Sequence, residues 1–155
     1  MQLEYFRMID KVTLLEASRK TIVCEAKVPN VSPIFEGHFP GYPLMPGVLL
    51  IETMAQASGY LILKQIDFVQ MPFFIAADGV KLRQFVMPGD MLSIEAKLLH
   101  EGSGFAVTKA KITRKQEASE IKICEAELKF KLMPFINDNL KTALASQARL
   151  IELSA

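Results

Sequence analysis

Residues 37–59 set a stiff, irregular loop directly against a helix that is apolar on nearly every side. Pro40, Pro43 and Pro46 are interspersed with Gly37, Gly41 and Gly47. Pro donates no backbone hydrogen bond and Gly costs entropy to order, so no regular ladder can form here. The prolines stop at Pro46, and Pro suits the first turn of a helix, where its missing N–H has no partner to lose. A helix is therefore expected from about residue 46 to 65. Val48, Leu49, Leu50, Ile51, Met54, Ala55, Ala57, Tyr60, Leu61, Ile62 and Leu63 leave it no polar face, so the rest of the chain must wrap it.

Polar residues on such a helix need reasons. Glu52 lies in its first two turns with no Lys or Arg before Lys64. A carboxyl that loses water without a cationic neighbour holds its proton more readily and becomes a usable general acid. Arg83, from a distant strand, is the alternative: it would make Glu52 half of a structural ion pair. Gln56, one turn on, shares the face of Glu52, and Ala55, Ala57, Ser58 and Gly59 are small enough to let another element approach. His38 stands fourteen residues before Glu52 in the rigid loop, near enough to fold back over the helix start. The N–H groups there, beginning with Gly47, are unpaired and carry partial positive charge suited to a carbonyl oxygen. A base, an acid and a carbonyl-polarising helix end together suit elimination of water next to a carbonyl.

Alternation supplies the wrapping. Residues 4–15 and 20–29 are expected as two strands, Phe73 to about Phe85 as a third with a disturbance around Asp78-Gly79, and residues 91–99, 105–113 and 120–132 as the remainder. Glu101-Gly102-Ser103-Gly104 marks a hairpin. One antiparallel sheet with one apolar face then has a single helix apolar enough to cover it. This is an α+β, hot-dog architecture: a sheet curled around one long central helix. Residues 137–153 read as an extra amphipathic helix, capped by Asn137 or Asp138, with Leu140, Leu144, Ala148 and Ile151 on one stripe; outside packing or contact with a second subunit is its expected role.

Gly37-His38-Phe39-Pro40-Gly41, Pro43, Met45-Pro46-Gly47-Val48-Leu49, Glu52 and Met54-Ala55-Gln56-Ala57 closely resemble the signature of the bacterial 3-hydroxyacyl-[acyl-carrier-protein] dehydratases. Phe85-Val86-Met87-Pro88-Gly89-Asp90 resembles that family's second landmark and Met8-Ile9-Asp10-Lys11-Val12 its first strand, so the likeness spans residues 4–133. It implies dehydration of a (3R)-3-hydroxyacyl thioester to the trans-2-enoyl product, with His38 as base, Glu52 as acid, Gly47 on the thioester oxygen and no metal or cofactor. A related dehydratase that also isomerises the double bond carries Asp as its acid, so Glu52 favours the plain dehydratase. The resemblance further implies sites built between two subunits, in a homodimer or a trimer of dimers. The acyl tunnel would be lined by Phe39, Tyr42, Leu44, Phe73, Phe74 and Phe85, and Lys81 and Arg83 would dock an acidic acyl carrier protein. Leu82 and Gln84 depart from the usual aromatic and basic residues, and the late start, Glu36 and the tail resemble an alphaproteobacterial variant linked to very-long-chain acyl groups of lipid A. Two other readings stand beside this one: an acyl thioesterase of the same fold, with Glu52 activating water, and a non-catalytic subunit that binds the acyl carrier.

Composition narrows the setting. A 155-residue chain of net charge +1 without Trp is expected to be one domain spanning 1–155, with no nucleic-acid partner. Glu52, Thr53, Gln56 and Ser58 interrupt the longest apolar run, residues 44–63, so no membrane insertion is expected. Cys24 and Cys124, each in an alternating apolar stretch, read as buried free thiols, which with an N-terminal segment that carries acids and no basic-then-apolar pattern fits a cytoplasmic protein.

Overall fold

In the computed structural model, which describes residues 1–116 and 119–153, six antiparallel strands form one sheet. They are β1 (Lys11–Glu16), β2 (Thr21–Lys27), β3 (Met71–Leu82), β4 (Met91–Gly102), β5 (Phe105–Gln116) and β6 (Ser119–Met133), in the order β1-β2-β4-β5-β6-β3. Alternating apolar residues place whole rows on one face. Val12, Cys24, Ile94, Ile112 and Cys124 are cross-strand partners in succession, and every one is buried. The neighbouring row is small, Ile22 giving way to Ala96, Ala110 and Ala126, which leaves depth for a helix to lie close.

That helix is α2 (Gly47–Gln65), with Leu50, Met54, Ala57, Leu61 and Ile62 almost wholly out of solvent against the sheet. Burial stabilises each of the four larger side chains by about 2 kcal/mol relative to exposure, and Ala57 by less. Ser58 and Thr108 fix its register, the Thr108 hydroxyl donating to Ser58 Oγ at 2.8 Å inside the core. Both cysteines are buried and free, and burial pushes each thiol up to about 12. The disturbance expected at Asp78-Gly79 is a register shift between Asp78 and Lys81, preceded by another between Phe74 and Ala76.

Two expectations need correction. The first strand does not run from residue 4: Leu3–Tyr5 form a single 3₁₀ turn, Phe6 is left-handed at φ 52°, and pairing begins only at Lys11. The reversal at Phe6 makes a tight loop, closed by a bridge between Gln2 and Arg7. The Gly-Pro loop is also preceded by a short helix, α1 (Pro33–Gly37), which Ser32 caps by accepting from the Ile34 N–H at 3.2 Å, with Pro33 at its first turn. The C-terminal helix, α3 (Asp138–Leu150), is present as expected, with Asn137 Oδ1 accepting from the Leu140 N–H at 2.9 Å. It is tied to β1 by the Val12 N–H donating to Ile151 O and by a Lys11–Glu152 ion pair at 3.0 Å. Among the described residues no helix is long and apolar enough to cross a membrane.

Candidate active site

The Gly-Pro loop holds its shape through short-range backbone bonds rather than a ladder. Phe39 and Tyr42 exchange N–H···O bonds at 3.0 and 2.9 Å, the Leu44 N–H donates to His38 O at 2.8 Å, and the Met45 N–H reaches Val86 O at 2.8 Å. The His38–Phe39 peptide is cis and the two rings stack, with centroids 4.2 Å apart. His38 Nδ1 lies 2.9 Å from the Leu44 carbonyl oxygen. A carbonyl only accepts, so Nδ1 carries the proton and Nε2 keeps its lone pair. The loop thus delivers a half-buried imidazole already in the tautomer a proton acceptor needs.

No side chain caps α2, so its first N–H groups, Gly47 included, are not used by a cap. A Cβ on Gly47 would stand 2.5 Å from Leu82 Cδ1, so the glycine lets the end of β3 lie against the helix start. Glu52 is half-buried one turn further on and is not without a partner: Gln56 Nε2 donates to its Oε1 at 2.9 Å. The same amide donates to Phe6 O at 2.6 Å, and Gln56 Oε1 accepts from the Met8 N–H at 3.0 Å. Sequence placed Gln56 on the face of Glu52; that it clamps the N-terminal segment there had no local signal, since the partner residues lie about fifty positions away.

The alternative partner for Glu52 is excluded by position. Arg83 Nη2 donates to Glu125 Oε1 at 2.6 Å, and Lys122 Nζ to Glu125 Oε2 at 2.7 Å, holding that carboxyl at about 2. Of the two docking candidates, Lys81 is exposed and Arg83 is committed to this pair.

A cavity of about 400 Å³ opens beside Glu52. From α2 it is lined by Glu52, Ala55, Gln56, Gly59, Tyr60 and Leu63, a helical stripe, and burial pushes the Tyr60 phenol up. Of the aromatic tunnel candidates the structure brings only Phe74 into this lining, its ring 5.7 Å from that of Phe130. Leu44 is buried and Phe73 half-buried, while Phe39, Tyr42 and Phe85 are exposed around the loop; none of these five, nor His38, borders the cavity. Gly59 was expected to admit a neighbouring element, but a Cβ there would meet nothing within 4 Å. Among the described residues no group of His, Cys, Asp and Glu is arranged to hold a metal ion.

A curled antiparallel sheet around one buried helix, with a histidine loop at the helix start and a carboxyl one turn in, defines a hot-dog fold protein. More particularly, the chain belongs to the FabA-like family, whose domain model matches residues 1–126. It is 39% identical over 132 residues to the 3-hydroxyacyl-[acyl-carrier-protein] dehydratase FabZ of Symbiobacterium thermophilum, covering 83% of this chain and 87% of that one. It is 40% identical to the FabZ of Ruminiclostridium cellulolyticum, covering 81% and 85%. Among solved structures, a hypothetical thioesterase with coenzyme A from Streptococcus pneumoniae superimposes with a TM-score of 0.60 at 18% identity, covering 80% of this chain and 85% of that one. The E. coli PaaI protein gives 0.61 at 16%, covering 79% and 78%. At those identities the two structures share the fold.

Proposed function

We propose that this protein is a 3-hydroxyacyl-[acyl-carrier-protein] dehydratase of the FabZ type, a hydro-lyase acting on the carrier-bound acyl chain. The observation that carries the reading is the 38–40% identity, over about four fifths of the chain, to relatives that all bear that name. The site geometry supports a mechanism. The thioester carbonyl acidifies the Cα proton, which passes to the lone pair on His38 Nε2. Charge growing on the thioester oxygen is stabilised by the Gly47 N–H and the positive end of α2. Protonated Glu52 gives its proton to the Cβ hydroxyl, which departs as water and leaves the Cα–Cβ double bond.

His38 does not border the cavity that Glu52 lines, which supports a site that two chains complete together. Exposed Phe39, Tyr42, Val48, Ile75, Leu82 and Phe85 around the loop, the helix start and the β3 edge form the face a second copy would cover. We read the working unit as a homodimer in which His38 of one copy meets Glu52 of the other.

His38→Ala and Glu52→Gln should each reduce dehydration of a 3-hydroxyacyl carrier by about 10²–10⁴-fold, read as appearance of the conjugated enoyl thioester, with the thermal melt unchanged. Mixing the two dead variants should restore about a quarter of wild-type turnover, because half of the dimers are mixed and each has one intact site. Retained activity in either single variant removes the assigned roles. No recovery on mixing, with subunit exchange verified, removes the shared site. Release of free thiol from acyl thioesters at the rate of dehydration would favour the thioesterase reading.

A further inference from the structure

α3 lies beyond residue 126, where the family's match ends, and packs on the outside of the sheet-and-helix unit with only Ala148 of its own residues buried. Its Leu144 and Gln147, with Ile151 at its C-cap and the exposed Leu150 at the rim, line the Glu52 cavity together with α2. The helix is anchored at its far end, where Ala148, Ile151 and Leu153 are buried, and the space remains between its stripe and the stripe of α2.

Gly59 widens that space. Glycine inside a helix is costly, and nothing in this chain requires its absent side chain, because a Cβ would meet no atom within 4 Å. Most polar groups in the lining already have partners within the chain. Gln56 is held by Phe6, Met8 and Glu52, Asp10 by the N-terminus and the Lys27 N–H, and Arg7 by Gln2. What remains to select an occupant is mostly apolar surface: Phe74, Phe130, Leu63, Met71, Leu144 and Ile151.

We propose that the cavity between α2 and α3 receives the distal part of the acyl chain, so that the C-terminal helix sets chain-length preference toward long acyl groups. This rests on the dehydratase reading and adds the substrate class to it. The lining runs along α2 from Glu52 to Leu63, about 16 Å at the helical rise per residue. An extended hydrocarbon chain advances about 1.25 Å per carbon–carbon bond, so the cavity accommodates about a dozen carbons beyond the reacting centre.

The test fills the cavity from each wall. Gly59→Leu adds side-chain carbons into open space and gains helix propensity, so it should fold. Leu144→Phe intrudes from α3. With 3-hydroxyhexadecanoyl and 3-hydroxybutyryl carriers as substrates, the long-over-short ratio of kcat/KM should fall by about 100-fold for Gly59→Leu, since each displaced methylene loses its burial, and in the same direction for Leu144→Phe. Binding of hexadecanoyl-pantetheine, followed by calorimetry, should weaken in parallel. An unchanged ratio and unchanged binding in both folded variants overturn the proposal, as does a change of oligomeric state without a change of binding, which would make a second copy the occupant. If the wild type binds the hexadecanoyl probe and Gly59→Leu abolishes that binding, while no 3-hydroxyacyl carrier is dehydrated, the cavity assignment stands and the dehydratase reading falls.

Discussion

Gln56 is the residue through which the candidate acid is tied to the rest of the chain, and replacing it should cost both stability and rate. Gln56→Leu keeps the bulk of the side chain and removes its amide, so the hydrogen bonds are lost with little change in packing. Two of the three groups it leaves, Phe6 O and Glu52 Oε1, lie where water can replace the amide. The third, the Met8 N–H, belongs to a residue with 0% exposure and becomes an unpaired buried donor. That group dominates the loss: about 2 kcal/mol, within the usual range for a stranded buried polar group. For a domain of this size the melting temperature should drop by about 4–8 °C. Far-UV circular dichroism suits the measurement because the chain has no Trp, and protein concentration must be fixed if subunits associate. Exchange of the Met8 amide hydrogen should accelerate in the variant. Turnover should fall by tenfold or more, as a carboxyl no longer held by its neighbour samples unproductive rotamers. A melt within 1 °C of wild type, with the Met8 amide still protected, would refute the clamp.

Three further outcomes follow from local geometry. Gly89 adopts φ +85° and a Cβ would stand 2.9 Å from Asn30 Oδ1, so Gly89→Ala should destabilise by about 1–2 kcal/mol in urea unfolding. Cys24 and Cys124 ionise near 9 when unfolded and only near 12 when folded, so each favours the native state fully below pH 9 and loses that contribution as pH rises toward 12. At pH 10 the loss is about 1 kcal/mol per thiol, and Cys24→Ala with Cys124→Ala should flatten the alkaline limb of the stability profile. Glu125 has the opposite sign: its folded value of about 2 lies below the ordinary 4.5, so its contribution is present above pH 4.5 and disappears as pH falls toward 2. Glu125→Gln should make acid unfolding less steep across that interval, followed by circular dichroism.

The fold was legible wherever one residue's environment repeats along the chain. Alternation in β4, β5 and β6 marks a face, and a run apolar on all sides can only be α2 once a sheet exists to wrap it. Periodicity fails at the N-terminus, where Met8, Ile9 and Val12 are buried but are separated by a left-handed Phe6 and a tight loop from what precedes them. A strand and a buried loop of the same hydrophobicity look alike until their hydrogen bonds are counted. The helix α1 was visible in principle: Ser32-Pro33 is a cap followed by a favoured first residue, but its single turn lacks the length that periodicity needs.

The site was legible by residue type and not by assembly. A histidine among prolines and a carboxyl on an apolar helix stand out because each needs a reason, and the structure supplies parts of both reasons: a carbonyl fixing the imidazole tautomer and an amide holding the carboxyl. Size decided less well. The expectation that small residues on α2 admit a neighbour is right at Ala57 and Ser58, which press on the sheet, and wrong at Gly59, which faces empty space. Ala and Gly look equivalent in sequence, yet inside a helix glycine carries a cost that alanine does not. At Gly59 the missing side chain widens the cavity beside Glu52, the space that the proposed acyl chain would take, so filling it from that position is the most direct test of the proposal.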